Sequence, residues 1–294
     1  MSEFGSCRWS KFPKTSTNSG DSAFCIHPFE LGVELMKWTC GIAFLFFAAL
    51  GLSQAGEPIA LFDGKDTSRF YTWLKEHGKD KDPNGNFTVK DGVLRIAGRD
   101  WGGLVSREEF SNYRIEVEFA WGGKVWPPRE KVARDCGLLV HSTGPDGKVG
   151  GSWQDGFQVN MIEGGTGDLS ITGSNKQYLF KAQAEERPWG KKTGKYWKEG
   201  AKLLDFPPAT RLLWFDRDPA WENVIDFRGK NDVEKPLKQW NRLVVELPGN
   251  SLEAKLNGVT VSKASGLTVS KGKIQFQSEG AECLIRRVMV TPLD

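Results

Sequence analysis

Short apolar runs that alternate with polar residues, broken by turn residues about every ten positions, leave this chain little choice of fold. Tyr113, Ile115, Val117 and Phe119 share one phase while Arg114, Glu116 and Glu118 share the other, the signature of a half-buried strand. Leu243, Val245 and Leu247 repeat the pattern against Arg242, Val244 and Glu246. Lys90-Asp91-Gly92, between 87–89 and 93–97, and Asn257-Gly258, between 252–256 and 259–261, read as hairpin turns, because Asp, Asn and Gly accept a positive φ. Further strands are expected at 59–62, 137–141, 156–162, 212–215, 223–227, 274–277 and 284–290. After residue 55 no 3.6-residue apolar stripe extends beyond a turn or two near Glu108. The pattern predicts an all-β sandwich or barrel. Residues 174–208 carry no convincing strand; their lysines, with Trp189, Tyr196 and Trp197, read equally as a solvated excursion or as a flap over a site.

The N-terminus reads differently. Met36-Lys37, the uncharged apolar run Cys40–Leu52, and Ser53-Gln54-Ala55 have the order of a secretory signal peptide, which would make residues 1–35 an over-long extension and send 59–294 to the periplasm or outside the cell. The apolar run is shorter than the roughly 20 residues a spanning helix needs. The alternative is a membrane anchor at 40–52 with a short cytoplasmic tail, so that a membrane enters only through an uncleaved leader. Beyond the leader only Cys136 and Cys283 remain, and each sits in an apolar strand pattern. Buried thiols are the simpler reading; a single bridge is the alternative.

With 294 residues and a near-balanced charge of +3, the chain has material for one large core and no basic stripe for nucleic acid. There is no Gly-x-Ser-x-Gly elbow, no phosphate loop, no dinucleotide fingerprint and no zinc spacing. Of the twelve tryptophans most should fill the core, but an indole face also fits the C–H face of a sugar ring. Polar residues gather at the ends of the 137–141 and 156–162 strands: Arg134, Asp135, His141, Gln158, Asn160, Glu163 and Asp168. By alternation Phe157, Val159 and Met161 point into the sandwich, and Gln158, Asn160 and Ile162 point out. Amides two residues apart suit hydroxyl recognition, since each donates and accepts. Glu163 and Asp168 bracket Gly-Gly-Thr-Gly and can serve as acid and base, or hold a divalent cation such as Ca²⁺.

Several stretches together resemble the 3-keto-disaccharide hydrolase domain family: Leu61-Phe62-Asp63-Gly64-Lys65-Asp66, the 110–119 strand, Arg134-Asp135-Cys136-Gly137-Leu138-Leu139, the glycine-rich turn from Glu163 to Asp168, Leu256-Asn257-Gly258, the 272–280 stretch, and Ile285-Arg286-Arg287-Val288. The resemblance covers almost all of 59–293. It implies a concanavalin A-like jelly-roll sandwich of two antiparallel sheets and action on glycosides already oxidised at carbon 3. The ketone acidifies the carbon 2 hydrogen, so a base removes it, the glycosidic oxygen leaves with acid help, and water adds later. The family often carries Glu where this chain has Gln158, Gln where it has Asn160, and Ser where it has Cys136. The expected roles are His141 as base, Glu163 as acid or metal ligand, and Asp168 in support. Gln158, Asn160 and Gln277 would hold hydroxyls of an oligosaccharide or glycoside, with Trp153 as a stacking surface. Arg286 is expected in a buried structural ion pair, and Glu279, on the phase of Gln277, faces outward. The rival readings are a non-catalytic sugar-binding module of the same fold and a laminin-G-like interaction domain.

Overall fold

The computed structural model describes residues 56–294, so the leader, the extension before it and the choice between cleavage and anchoring lie outside the described residues. The described chain is all strands and turns. In chain order the strands are β1 Ile59–Phe62, β2 Phe70–Leu74, β3 Gly78–Lys79, β4 Phe87–Lys90, β5 Val93–Ile96, β6 Gly102–Ser106, β7 Tyr113–Val125, β8 Leu138–Thr143, β9 Asp155–Val159, β10 Leu169–Thr172, β11 Phe180–Trp189, β12 Lys192–Trp197, β13 Leu203–Phe206, β14 Arg211–Leu213, β15 Asn241–Leu247, β16 Leu252–Leu256, β17 Val259–Ala264, β18 Lys273–Ser278 and β19 Ala281–Pro292.

They form two layers. One sheet runs β17-β16-β15-β7-β19-β5-β4, with β1 also on β19, and the other runs β13-β11-β12-β14-β10-β9-β8-β18-β6-β2-β3. The architecture is the jelly-roll β-sandwich expected. Ile115, Val117 and Phe119 of β7, Leu243 and Val245 of β15, and Val288 and Val290 of β19 meet Leu138 and Val140 of β8, Phe157 and Val159 of β9, and Phe276 of β18 in one continuous core. Every one of them sits on the apolar phase of its strand, so the alternation read from sequence is the packing itself. Burial of each such side chain contributes about 1.5–3 kcal/mol. Asp91 and Asn257, at φ 52° and 51°, close the two expected hairpins ahead of their glycines.

Four expectations are corrected. Residues 174–208 are not a strandless insert: they hold β11, β12 and β13, paired into the second sheet. The apolar phase of β11 is Phe180, Ala182 and Ala184, too small at its alanines to stand out between Lys181 and Gln183. Trp197 is in the core, and Trp189 packs on a small separate cluster of Ala133, Ile162 and Trp221. Residues 223–227 are turns. The sheets are not wholly antiparallel, since β12 and β14 pair in parallel. Finally, Arg286 pairs with Glu118 at the half-exposed surface, over the Trp240 ring, and is not buried. Cys136 and Cys283 are buried free thiols, and the Cys136 thiol donates to the Gln277 carbonyl at 3.0 Å.

Candidate active site on the outer sheet face

The outer face of the second sheet carries polar residues in rows that follow strand register. Across β18 and β8, Gln275 pairs with Leu139 and Phe276 with Leu138; across β18 and β6, Gln277 pairs with Gly103 and Ser278 with Gly102. Carried past the strand ends, the β6 register by one residue and the β8 register by three, these pairings put Trp101 on one side of Glu279 and Asp135 on the other.

The middle row is an amide floor. Gln158 Nε2 donates to Gln277 Oε1 at 2.9 Å and to Asn160 Oδ1 at 3.2 Å, while Thr172 Oγ1 donates to Gln158 Oε1 at 2.6 Å. The Gln158–Gln277 bridge crosses the intervening strand above Gly137. A Cβ there would lie 2.0 Å from Gln277 Oε1 and 2.4 Å from Gln158 Nε2, so only glycine lets the two amides meet. Neither amide lies in the apolar middle of the sandwich. Asn160 is nevertheless fully buried: Arg211 Nη2 donates to its Oδ1 at 2.9 Å and it donates to Ser170 Oγ at 3.0 Å. Gln158 keeps partial exposure and Gln277 almost none.

The row above is charged. Arg129 Nη2 donates to Asp135 Oδ2 at 3.0 Å and to Glu279 Oε1 at 2.6 Å, so one nitrogen bridges both carboxylates. Burial raises the Glu279 carboxyl well above the ordinary range and the neighbouring Asp135 raises it further; Arg129 opposes both effects. Burial also raises Asp135, against the pull of Arg129 and Arg211. Two buried carboxylates on one guanidinium repel each other, which favours a proton shared by the pair over two negative charges. Oδ1 of Asp135 is buried without a protein partner. Asp135 was visible in the sequence as a strand-end carboxylate, and Glu279 as an outward residue with no apparent partner. Arg129 and Arg211 carried no sequence signal, since they arrive from a loop and from the far strand β14.

The sequence-predicted acids sit elsewhere. Glu163 is buried against Arg134, whose Nη1 donates at 2.6 Å, and accepts from the Asp226 amide at 3.2 Å. Asp168 is fully buried and takes Arg217 Nη1 on one oxygen and the Trp214 amide, at 2.9 Å, on the other. Each is neutralised by a guanidinium, which leaves neither suited to a cation, and among the described residues no group of three or more His, Cys, Asp or Glu is arranged to hold one.

His141 is also displaced. It lies at a bulge of β8 with φ 49°, fully buried, its ring edge-on to Tyr113 at 5.7 Å and its Nδ1 bonded to the Val269 carbonyl at 2.9 Å. No hydrogen bond among the described residues links it to Glu163 or Asp168. Burial lowers its pKa from 6.5 to about 4. The unfolded chain binds this proton below about 6.5 and the folded chain only below about 4, so its contribution to stability is present above pH 6.5 and lost as pH falls through that window. Denaturant titration should find the protein about 2 kcal/mol less stable at pH 5 than at pH 7 through this residue, and His141→Gln should remove that slope. An unchanged slope in the variant would reject the neutral buried imidazole.

Trp153 donates Nε1–H to the Gly102 carbonyl at 2.7 Å, beside the strand pair that carries Gln277. A sandwich whose outer face joins an amide floor, a buried carboxyl pair and half-buried indole belongs to the carbohydrate-active jelly-rolls. Within that class the chain is a member of the 3-keto-alpha-glucoside-1,2-lyase-like domain family, whose model matches residues 57–291. No curated protein matches the sequence. Among solved structures, the chain is similar to a predicted glycosyl hydrolase from Parabacteroides distasonis ATCC 8503, with 16% identity, TM-score 0.47, and 81% of this chain and 94% of that one covered. A Bacillus licheniformis β-glucanase aligns at 10% identity and TM-score 0.40, over 82% of this chain and 100% of that one. The Bacillus subtilis carbohydrate-binding module CBM66 aligns at 12% and 0.37, over 70% and 90%.

Proposed function

We propose that this chain is an exported enzyme that cleaves 3-keto-glycosides by elimination across carbons 1 and 2. The observation that carries the reading is the Asp135–Arg129–Glu279 cluster beside the Gln158–Gln277 amide bridge. Asp135, whose buried Oδ1 has no hydrogen-bond partner among the described residues, removes the carbon 2 hydrogen as a base once the entering sugar opens the site around it. The electron pair moves into the carbon 2–carbon 3 bond as the ketone becomes an enolate, whose charge Arg211 and the side-chain N–H group of Gln277 oppose. Collapse of the enolate forms the carbon 1–carbon 2 double bond and expels the glycosidic oxygen, which takes the Glu279 proton and departs as an alcohol. Water then adds at carbon 1, returning a proton to carbon 2, so the two steps sum to hydrolysis.

The test is aglycone release from a 3-keto-glucoside by the purified protein, expected well above the uncatalysed rate. Binding without release would leave the sugar-binding module standing, a reading favoured by Gln158 in the place where the family often carries Glu. Export is tested separately by N-terminal sequencing of protein recovered from the periplasm or medium, expected to begin just after Ala55. Protein recovered only from membranes, with the 40–52 run intact, would select the anchored form.

A further inference from the structure

Beyond Glu279 the charged row ends in an aromatic wall. Trp101 precedes Gly102, which pairs with Ser278, so the register carried one residue past the strand ends sets Trp101 opposite Glu279, on the phase of Gly103, where an added Cβ would meet the Gln275 side chain. Its ring packs on Trp153, centroids 5.6 Å apart at 38°, and Trp153 is itself pinned to the Gly102 carbonyl at 2.7 Å. The Trp101 carbonyl accepts from the Lys75 amide at 2.8 Å, which fixes its backbone to the neighbouring strand end. Trp101 remains partly exposed, as one wall of an open cleft of about 370 Å³ whose other walls are Lys75, Glu76, Arg99 and Asp100. An indole braced from behind by a second indole, and facing a cleft rimmed with both signs of charge, is built to seat a flat polyhydroxylated ring.

We propose that Trp101 is the platform for the leaving group, and that this cleft takes the sugar ring attached through the glycosidic oxygen. The inference rests on the function proposed above, because that reading sets the direction. Asp135 serves carbon 2 of the keto sugar, and Glu279 protonates the bridging oxygen. The departing ring therefore lies on the far side of Glu279 from Asp135, and that side is Trp101. Lys75, Glu76 and Arg99 offer donors and acceptors to its hydroxyls. Trp101 is thus a specificity-determining residue: it favours glycosyl over small alkyl leaving groups.

The experiment compares kcat and KM of the full-length protein on a 3-keto-disaccharide and on methyl 3-keto-glucoside, for the wild type, Trp101→Ala and Trp101→Phe. The ratio of the two kcat/KM values should fall about tenfold in Trp101→Ala, chiefly through the KM of the disaccharide, and Trp101→Phe should restore much of it. If both substrates decline together with the ratio kept, or if nothing changes, Trp101 is merely structural and the inference is overturned. If the wild type releases aglycone from neither substrate, the proposed function falls and this inference falls with it.

Discussion

Glu279→Gln should lower kcat on a 3-keto-disaccharide by about 10²–10⁴, the range a positioned general acid supplies. The substitution keeps the shape of the side chain and removes only the proton it donates. Burial and Asp135 already hold Glu279 toward its neutral form, so Gln mimics the resting state. Thermal stability should therefore stay level or rise, since the amide cannot add a second buried negative charge beside Asp135. The sign of the pH effect follows from the same shift. The acid must be protonated to work, so the wild-type rate falls as pH rises through its raised pKa, and that alkaline limb should vanish in the variant. The loss should shrink on a nitrophenyl 3-keto-glucoside, whose leaving group departs without a proton. Near-normal turnover of the disaccharide by Glu279→Gln would remove Glu279 from the chemistry.

The fold was legible because burial follows alternation in β7, β15 and β19, and because Asp91-Gly92 and Asn257-Gly258 announce their turns. It was illegible where alternation carries no contrast. Both faces of β6 are covered, so Gly102, Gly103, Leu104, Val105 and Ser106 are all buried and show no period. In β11 alanines stand on the inward phase. For the site, the outward phase of β9 and β18 was readable, and it placed Gln158 and Gln277 on one face. Which acids work there was not readable, because that depends on which guanidinium each carboxylate meets. Glu163 and Asp168 looked available in a glycine-rich turn, yet Arg134 and Arg217 reach them from distant parts of the chain. Asp135 and Glu279 are buried together on a single arginine, and burial raises both carboxyls against its pull.

That contrast gives the second large effect. Asp168→Ala should destabilise the protein by about 3–5 kcal/mol, the cost of leaving a buried charge without its partner. Arg217 is wholly buried, with its guanidinium 4.1 Å from the Trp221 ring centre and 5.9 Å from that of Trp189. Among the described residues its Nε and Nη2 have no hydrogen-bond partner, so there the bond from Nη1 to Asp168 is the one hydrogen bond that offsets the loss of its hydration. Burial pulls the Arg217 pKa down and Asp168 pulls it back, with a smaller pull from Tyr196, which places most of the compensation on one carboxylate. For a domain of this size the loss corresponds to a melting temperature lower by roughly 10 °C. Replacing both partners, as in Asp168→Ala with Arg217→Met, should recover part of the loss, because no charge is then stranded. Below its melting point the single variant should keep most of its kcat, since Asp168 touches no reacting atom and Arg211 keeps its bond to the floor amide Asn160, at 2.9 Å. The opposite split, a kcat collapse at unchanged melting temperature, would return Asp168 to the catalytic role its place in the sequence suggested and would show that Arg217 is held by something other than this carboxylate.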